Sequence, residues 1–258
     1  MTLHRFFVRG ELPPTGAVGS LLELSPADLH HARRVLRLAP GDRVVVADES
    51  GRQAEATLVQ VGESGVMADL GPTAERLARP YVVLAAGISR RERMEFTVQK
   101  TTELGVAEIW PLATARCVVR LDEDRAGKRS ERWSRIAAEA AKQSQRTEVP
   151  LVREPMTIAA LAAEAARFDI VLVPWEEEAS SAPGIGEALD AACATGTSSV
   201  LVVVGPEGGF EASEVEEMRA VGAVAVSLGD TVLRTETAAA VAVALVSYEL
   251  GALGGRGR

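Results

Sequence analysis

Two glycine-bearing turns carry the residues best suited to ligand chemistry. Leu201-Val-Val-Val-Gly-Pro-Glu-Gly-Gly-Phe210 is a continuous apolar, β-branched run that stops at Gly205, the pattern of a buried parallel strand feeding a loop. The two glycines after Glu207 let bare backbone N–H groups approach a ligand. The acidic stretch Glu211-Ala-Ser-Glu-Val-Glu-Glu-Met-Arg219 follows as a helix, with Ser213 and Glu216 spaced as a capping box. The turn therefore falls between a strand end and a helix start, where open α/β sheets hold ligands. Leu228-Gly-Asp-Thr-Val-Leu-Arg-Thr-Glu-Thr237 repeats the arrangement after a short strand, Val224–Leu228, and adds Arg234, Thr235 and Glu236. Together they read as two walls of one pocket. No Gly-Lys-Ser/Thr follows either turn and neither has Gly-x-Gly-x-x-Gly spacing, which excludes a P-loop and a dinucleotide fingerprint. Taken alone, the first turn reads equally as an ordinary strand-to-helix connection.

Few other side chains offer catalysis. The histidines are His4, His30 and His31, all in the opening segment, so the part carrying the turns has no imidazole base of its own. Cys117 and Cys193 lie far apart without a Cys-x-x-Cys spacing, so neither zinc nor a disulfide framework is expected, and Cys117 reads as an inert thiol. No metal is expected.

The elements that must position these residues form an α/β protein. At 258 residues with 47% hydrophobic content the chain suffices for one large or two modest domains. Residues 1–72 read as a small β-rich domain. It has a strand at Arg5–Val8, a helix at Ser25–Leu36 capped by Ser25 with Pro26 first, and a meander from Val44 through Ala54–Val61 to a further strand. On that helix Arg33 and Arg37 share a face, and one of Phe6 and Phe7 must point inward. Two prolines bracket a polar boundary from Gly71-Pro72 to Arg79-Pro80. Residues 73–258 then alternate: strand Tyr81–Gly87, helix Arg91–Leu104 closed by Gly105, strand Glu108–Leu112, helix Glu131–Arg146, helix Ile158–Arg167 and strand Asp169–Pro174, which predicts a parallel sheet. Residues 179–186 read as a surface connection. The segment Thr237–Leu250 is apolar almost all round yet too short to span a membrane, and is expected as a helix in a homodimer interface.

Net charge is −8, but its distribution is uneven. Residues 1–146 hold 22 basic and 19 acidic side chains, whereas the remainder holds 6 and 17. Net charge taken as one number speaks against a nucleic-acid binder; an RNA footprint, if present, must lie on the first part, and the acidic remainder suits a cationic small molecule better than a phosphate backbone. Candidate phosphate contacts are Arg5, Arg9, His31, Arg33 and Arg37, then Arg90 and Arg91 with Arg93, and on the polar stripe of the 131–146 helix Arg135, Gln143 and Arg146. A solvated surface is the competing reading for each. The opening Met1–Arg9 has no signal-peptide layout and no run reaches membrane-spanning length, so a cytoplasmic protein is expected.

Gly205-Pro-Glu-Gly-Gly-Phe210 and Leu228-Gly-x-x-Val-Leu-Arg-x-Glu-Thr-Ala238 resemble the two cofactor loops of the SPOUT methyltransferases, specifically the RsmE group that methylates N3 of a uridine in 16S ribosomal RNA of the small subunit. The resemblance extends to Lys100-Thr-Thr-Glu-Leu-Gly-Val106, Ile109-Trp-Pro111, Glu139-Ala-Ala-Lys-Gln-Ser-Gln-Arg146 and the amino-terminal His31-x-x-x-Val-Leu-Arg37 with Gly41-Asp42. It implies a PUA-like RNA-binding domain followed by a SPOUT-type parallel sheet with a carboxy-terminal trefoil knot. It also implies S-adenosyl-L-methionine bound near Val173, Pro174, Val204, Gly205, Glu207, Gly209, Leu228, Gly229 and Leu233. Arg234 would stabilise the uridine anion at a uracil oxygen. Glu236 would accept the imide proton, hold Arg234, or cap the following helix. Departures from the family pattern fall at Thr231, Glu211 and Lys142, where an Arg, a Ser and an acidic residue are usual; the first removes a charge near the pocket. Two other classes stay open: a SPOUT enzyme acting on transfer RNA, and a non-catalytic ribosome-assembly factor. The retained glycines and Arg234 favour catalysis.

Overall fold

A computed structural model describes residues 3–48, 52–62, 65–74, 80–117, 123–146, 148–178, 181–192 and 199–254. Cys193, the turn after Asp48, most of the proline-bracketed boundary and the start of the 179–186 connection lie outside the described residues. The chain folds as two compact units, Met1–Ala78 with Ala141–Glu148, and Arg79–Ala140 with Val149–Arg258.

In the first unit, β1 (Arg5–Phe7), β2 (Ser20–Leu22), α1 (Pro26–His30), β3 (Arg43–Ala47), β4 (Gln53–Val61) and β5 (Val66–Ala74) follow in sequence. The sheet order is β1-β3-β4-β5-β2, antiparallel except for β1 beside β3. An antiparallel bridge between Val8 and Leu24, with Arg9 N–H donating to Glu23 O at 2.9 Å, joins the two edge strands and closes the sheet on itself. Closure removes both exposed edges. Alternation is obeyed: Phe6 packs with Val44, Val46, Leu58 and Leu70, while Phe7 stays half-exposed. Strand β5 runs through Gly71-Pro72, and the register shift between Ala54 and Ala56 opposite accommodates the proline.

Helix α1 starts as the sequence predicts, with Ser25 Oγ accepting from Asp28 N–H at 3.1 Å and Pro26 in the first turn. It does not continue as an α-helix to Leu36. His31–Val35 is a π-helical turn, and Arg37 lies beyond it with φ +54°, so Arg33 and Arg37 do not share an α-helical face. Spacing rules for 3.6-residue turns fail where an extra residue is wound into the turn.

The second unit contains β6 (Tyr81–Gly87), α2 (Arg91–Glu103), β7 (Glu108–Ala113), α3 (Glu123–Gln143), β8 (Leu151–Val152), β9 (Met156–Thr157), α4 (Ile158–Ala165), β10 (Ile170–Pro174), α5 (Ile185–Ala192), β11 (Ser199–Val204), α6 (Ala212–Ala220), β12 (Val224–Val226) and α7 (Thr235–Glu249). The last turn of α3 belongs to the first unit, where Lys142 pairs with the buried Asp28. Helix α3 starts earlier than the expected 131–146 helix and ends sooner: Gln145 takes φ +58° and Arg146 leaves the polar stripe.

All pairings in this sheet are parallel, in the order β12-β10-β11-β6-β7-β8, with β9 also on β7. Both faces are covered, which explains why β6 and β11 are apolar without alternation. On one face Leu84, Val202, Met94, Val98, Ala242, Val243 and Val246 pack together. On the other, Val83, Val203, Trp110, Leu161, Phe210, Val215 and Met218 do so. Gly105 takes φ +99° just past α2 and ends that helix as its position predicts.

Two further expectations change. Helix α6 is capped by Glu211, whose N–H donates to Glu214 Oε2 at 2.9 Å, so the capping box is Glu211/Glu214 and not Ser213/Glu216. A carboxylate serves there because the helix N-terminus favours negative charge. Helix α7 is apolar partly because its own unit buries it, packing it on α2, α5, β6 and β11. Ala239, Ala242, Val243 and Val246 face inward, whereas Leu245 and Tyr248 are 39% and 48% exposed. Among the described residues no helix is long and apolar enough to cross a membrane.

Candidate functional site

Because every strand of the second sheet is parallel, β6, β10, β11 and β12 bring their carboxyl ends, Gly87, Pro174, Val204 and Val226, to one edge. Both glycine turns leave from that edge. The 205–210 turn lies directly on the end of β6: a Cβ on Gly87 would sit 2.3 Å from Pro206 N, so only glycine permits the contact. Gly209 has φ +70°, and a Cβ there would lie 3.0 Å from Glu176 Oε1. The second turn is tied to the first by Thr235, whose Oγ1 donates to Gly205 O.

Between the turns lie two adjoining cavities. The smaller, of about 140 Å³, is walled by Trp175, Val226, Leu228, Gly229 and Val232. The larger, of about 240 Å³, is walled by Val204, Gly205, Glu207, Gly209, Phe210 and Arg234, together with Arg93 from α2. Pro174, Glu176, Val232, Leu233 and Ala238 border both, so they form one two-lobed pocket. Of the sequence-predicted small-molecule contacts, Pro174, Val204, Gly205, Glu207, Gly209, Leu228, Gly229 and Leu233 line it; Val173 is 2% exposed and lies beneath.

Arg234 is the N-cap of α7 yet makes no capping hydrogen bond, and its exposed side chain lines the larger lobe. Ser, Thr, Asp or Asn would serve the helix better. Glu236 lies in the first turn of α7 and pairs with Arg93, Oε1 to Nε at 3.9 Å, so its ion-pair partner is neither Arg234 nor the helix end. Glu207 accepts from Arg90 N–H at 2.9 Å and lies 3.6 Å from Arg93. Arg93 stands out in space but not in sequence, where it is one of three arginines at a helix start. Glu176 is similarly hidden in an acidic run. Among the described residues no cluster of three His, Cys, Asp or Glu suits a metal, and Cys117 Sγ is held by Thr114 N–H and Leu112 O.

Comparison with known proteins bears on this architecture directly. The model of an RNA methyltransferase domain matches residues 77–247, and that of an RNA methyltransferase PUA domain matches 24–68. The chain is 37% identical over 232 residues to the ribosomal RNA small subunit methyltransferase E of Bacillus subtilis, covering 88% of this chain and 90% of the relative. The chain belongs to the ribosomal RNA small subunit methyltransferase E family. The Mycobacterium bovis protein of the same name is 35% identical over 240 residues, 91% of this chain and 88% of that one. Two solved structures superpose on 95% of this chain and 97% of their own. One is a putative methyltransferase from Legionella pneumophila in complex with S-adenosylmethionine, at 31% identity and TM-score 0.81. The other is the Neisseria gonorrhoeae family member bound to S-adenosyl methionine, at 28% and 0.80. The family resemblance of the two turns, the amino-terminal PUA-like domain and the parallel-sheet fold are all borne out.

The candidate RNA contacts are dispersed within each unit. In the first, Arg9, His31, Arg33, Arg37 and Gln143 are exposed, and Arg146 is half-buried. Arg5 is turned partly inward, donating from Nη1 to Gln53 at 2.9 Å, and burial pulls its pKa below the usual arginine value. In the second, Arg90 is the exposed N-cap of α2, Arg91 pairs with Glu95 at 3.0 Å, and Arg135 is exposed on α3.

Proposed function

We propose that this protein transfers a methyl group from S-adenosyl-L-methionine to N3 of a uridine in 16S ribosomal RNA of the small subunit. The observation that carries the reading is Arg234, an arginine left uncapping at the start of α7 with its side chain on the wall of a pocket built from two glycine turns. The pocket fits the donor: backbone groups approach closely at Gly205 and Gly209, and Glu176, Glu207 and Asp230 make the lining acidic. Such a lining favours a cation over a phosphate. Family relatives named for ribosomal RNA of the small subunit, and neighbours solved with the donor, support the same reading.

The donor supplies an electrophilic methyl group on a positively charged sulfur. N3 of uracil is an imide nitrogen, and its lone pair becomes available only when its proton leaves. Arg234 stabilises the resulting anion at a uracil oxygen by a charge-assisted hydrogen bond. Glu236, in the first turn of α7, is the carboxylate to which this reading gives the proton. The turns exclude water and orient the two reactants.

RNA binding is assigned to residues 1–72 as a PUA-like domain and to the exposed arginines of α2 and α3. Residues 73–258 form the catalytic domain, its last segment threaded as a trefoil knot. A cytoplasmic homodimer in which Leu245 and Tyr248 of α7 face the partner is the expected assembly. The deciding experiment is mass spectrometry of nucleosides from small-subunit ribosomal RNA of cells with and without this protein. Loss of N3-methyluridine in its absence is expected. An unchanged nucleoside profile, or a missing methyl group on transfer RNA instead, would overturn the assignment.

A further inference from the structure

Arg93 stands where the two walls of the pocket meet, and methyl transfer by Arg234 and Glu236 leaves it without a task of its own. Its Nη1 lies 3.6 Å from Glu207 Oε1 in the first turn, and its Nε lies 3.9 Å from Glu236 Oε1 on α7. Both separations are ion-pair distances beyond hydrogen-bond reach, so two carboxylates share one cation without either being locked onto it. The second oxygen, Oε2, of each carboxylate is buried and accepts no hydrogen bond among the described residues. Buried ionised oxygens are tolerated only beside compensating charge. Without Arg93 the two carboxylates would lose the cation they share, and the Glu207 side chain would keep only its bond from Arg90 N–H among the described contacts. Helix α2, which carries Arg93, packs along α7, so the guanidinium comes from a rigid element neighbouring both walls.

We propose that Arg93 is a positioning residue that fastens the first glycine turn, through Glu207, to the start of α7, through Glu236. The guanidinium then acts beside the Thr235 Oγ1 bond to Gly205 O, which joins the same two walls, and sets where the Glu207 and Glu236 carboxylates stand. This rests on the methyltransferase reading given above.

The test uses the full-length protein and the variants Arg93→Gln, Arg93→Lys, Glu207→Gln and Arg93→Gln/Glu207→Gln. Affinity for S-adenosylmethionine is read by titration calorimetry without RNA, and methyl transfer by single-turnover rate at saturating donor and RNA. Arg93→Gln should weaken donor binding and slow transfer, each by about tenfold or more, within the range of coupled side chains. Arg93→Lys should recover most of both losses, because pairing near 3.6 to 3.9 Å needs the charge and not the planar fork. The double variant should be no worse than Arg93→Gln alone, since the partner of Glu207 is already gone. Losses that multiply in the double variant, Arg93→Lys no better than Arg93→Gln, or Arg93→Gln within twofold of wild type would each overturn the proposal. If Arg93→Gln fails to fold, Arg93→Lys against Glu207→Gln decides: near-wild-type behaviour of the first with a loss in the second supports it, and the reverse overturns it. A wild-type chain that neither binds donor nor methylates RNA would bring down the functional reading itself. Active wild type with unaffected Arg93 variants would bring down this inference alone.

Discussion

Arg234 breaks a local rule of helix construction, and such departures concentrate where a site takes precedence over stability. Arg234→Ala should therefore leave the fold intact and lower the methyl-transfer rate far more than donor affinity, by roughly 10²–10³, the usual cost of removing one transition-state interaction. Arg234→Lys should recover only part, because an ammonium lacks the planar fork. A single-turnover rate for Arg234→Ala within about threefold of wild type, under 1 kcal/mol, would instead assign Arg234 a structural part. At this scale the sequence was informative where residue type alone decides. Gly209, in the turn that the glycine spacing marks, takes φ +70°, whereas the need for glycine at Gly87 comes from its contact with Pro206 and has no local signature. The relation of Arg93 to Glu207 and Glu236 spans 114 and 143 residues of chain, so no local pattern displays it.

Elements were legible where periodicity was strong and boundaries were not. Strand Tyr81–Gly87 and helix Arg91–Glu103 stand as expected to within a residue, because their apolar runs and the Gly105 stop are unambiguous. The π-helical turn at His31–Val35 was invisible, since an inserted residue leaves no signature in composition. Helix α7 shows the limit of reading apolarity as a surface: Val243 is 0% exposed in its own unit and Leu245 is 39% exposed. Val243→Asp should prevent folding, since an unpaired buried charge costs more than about 4 kcal/mol. If α7 carries the proposed dimer interface, Leu245→Asp should leave the circular dichroism spectrum unchanged and give a monomer mass in light scattering where the wild type gives a dimer mass. At the other end of the sheet, Glu108 accepts from Tyr81 Oη, from Trp110 Nε1 at 2.7 Å and from Arg153 Nε at 2.8 Å. Burial pushes its carboxyl pKa up, but these donors outweigh burial and hold it below the ordinary 4.5; the same burial and bond push Tyr81 up to about 12. A folded-state pKa below the unfolded value gives stability that is present above the unfolded pKa and lost as pH falls through the folded one. Glu108→Gln should accordingly lower the melting temperature at neutral pH, by an amount matching roughly 1–3 kcal/mol, and flatten its fall at acid pH below about 4.5. Equal acid slopes in the two proteins would count against this.

At the scale of the whole molecule, the charge split read from the linear sequence changes meaning once the units are known. Residues 1–78 with 141–148 carry 10 basic and 11 acidic side chains, nearly balanced, whereas residues 79–140 carry 12 and 9. The positive excess of the first 146 residues therefore comes from the stretch containing α2 and α3, in the same unit as the pocket. On the proposed division, steering of RNA by net charge belongs to that stretch, and local phosphate contacts fall to the exposed Arg9, His31, Arg33 and Arg37 of the first unit. Two sets of variants separate the roles. Arg33→Glu with Arg37→Glu should weaken RNA binding, lower the slope of log affinity against log salt by about 0.7–0.9 for each phosphate no longer neutralised, and leave donor affinity unchanged. Arg90→Glu with Arg135→Glu should do the same and also slow association at low salt, because it removes charge from the only one of these stretches with a positive excess. Both effects should fade as ionic strength rises and the Debye length shortens to about 8 Å at 0.15 M. The measurement is RNA affinity and association rate across a salt series for the full chain and both double variants. Binding that is insensitive to salt, or an Arg33/Arg37 variant that loses donor affinity along with RNA, would show that recognition of RNA and of the methyl donor are not divided in this way.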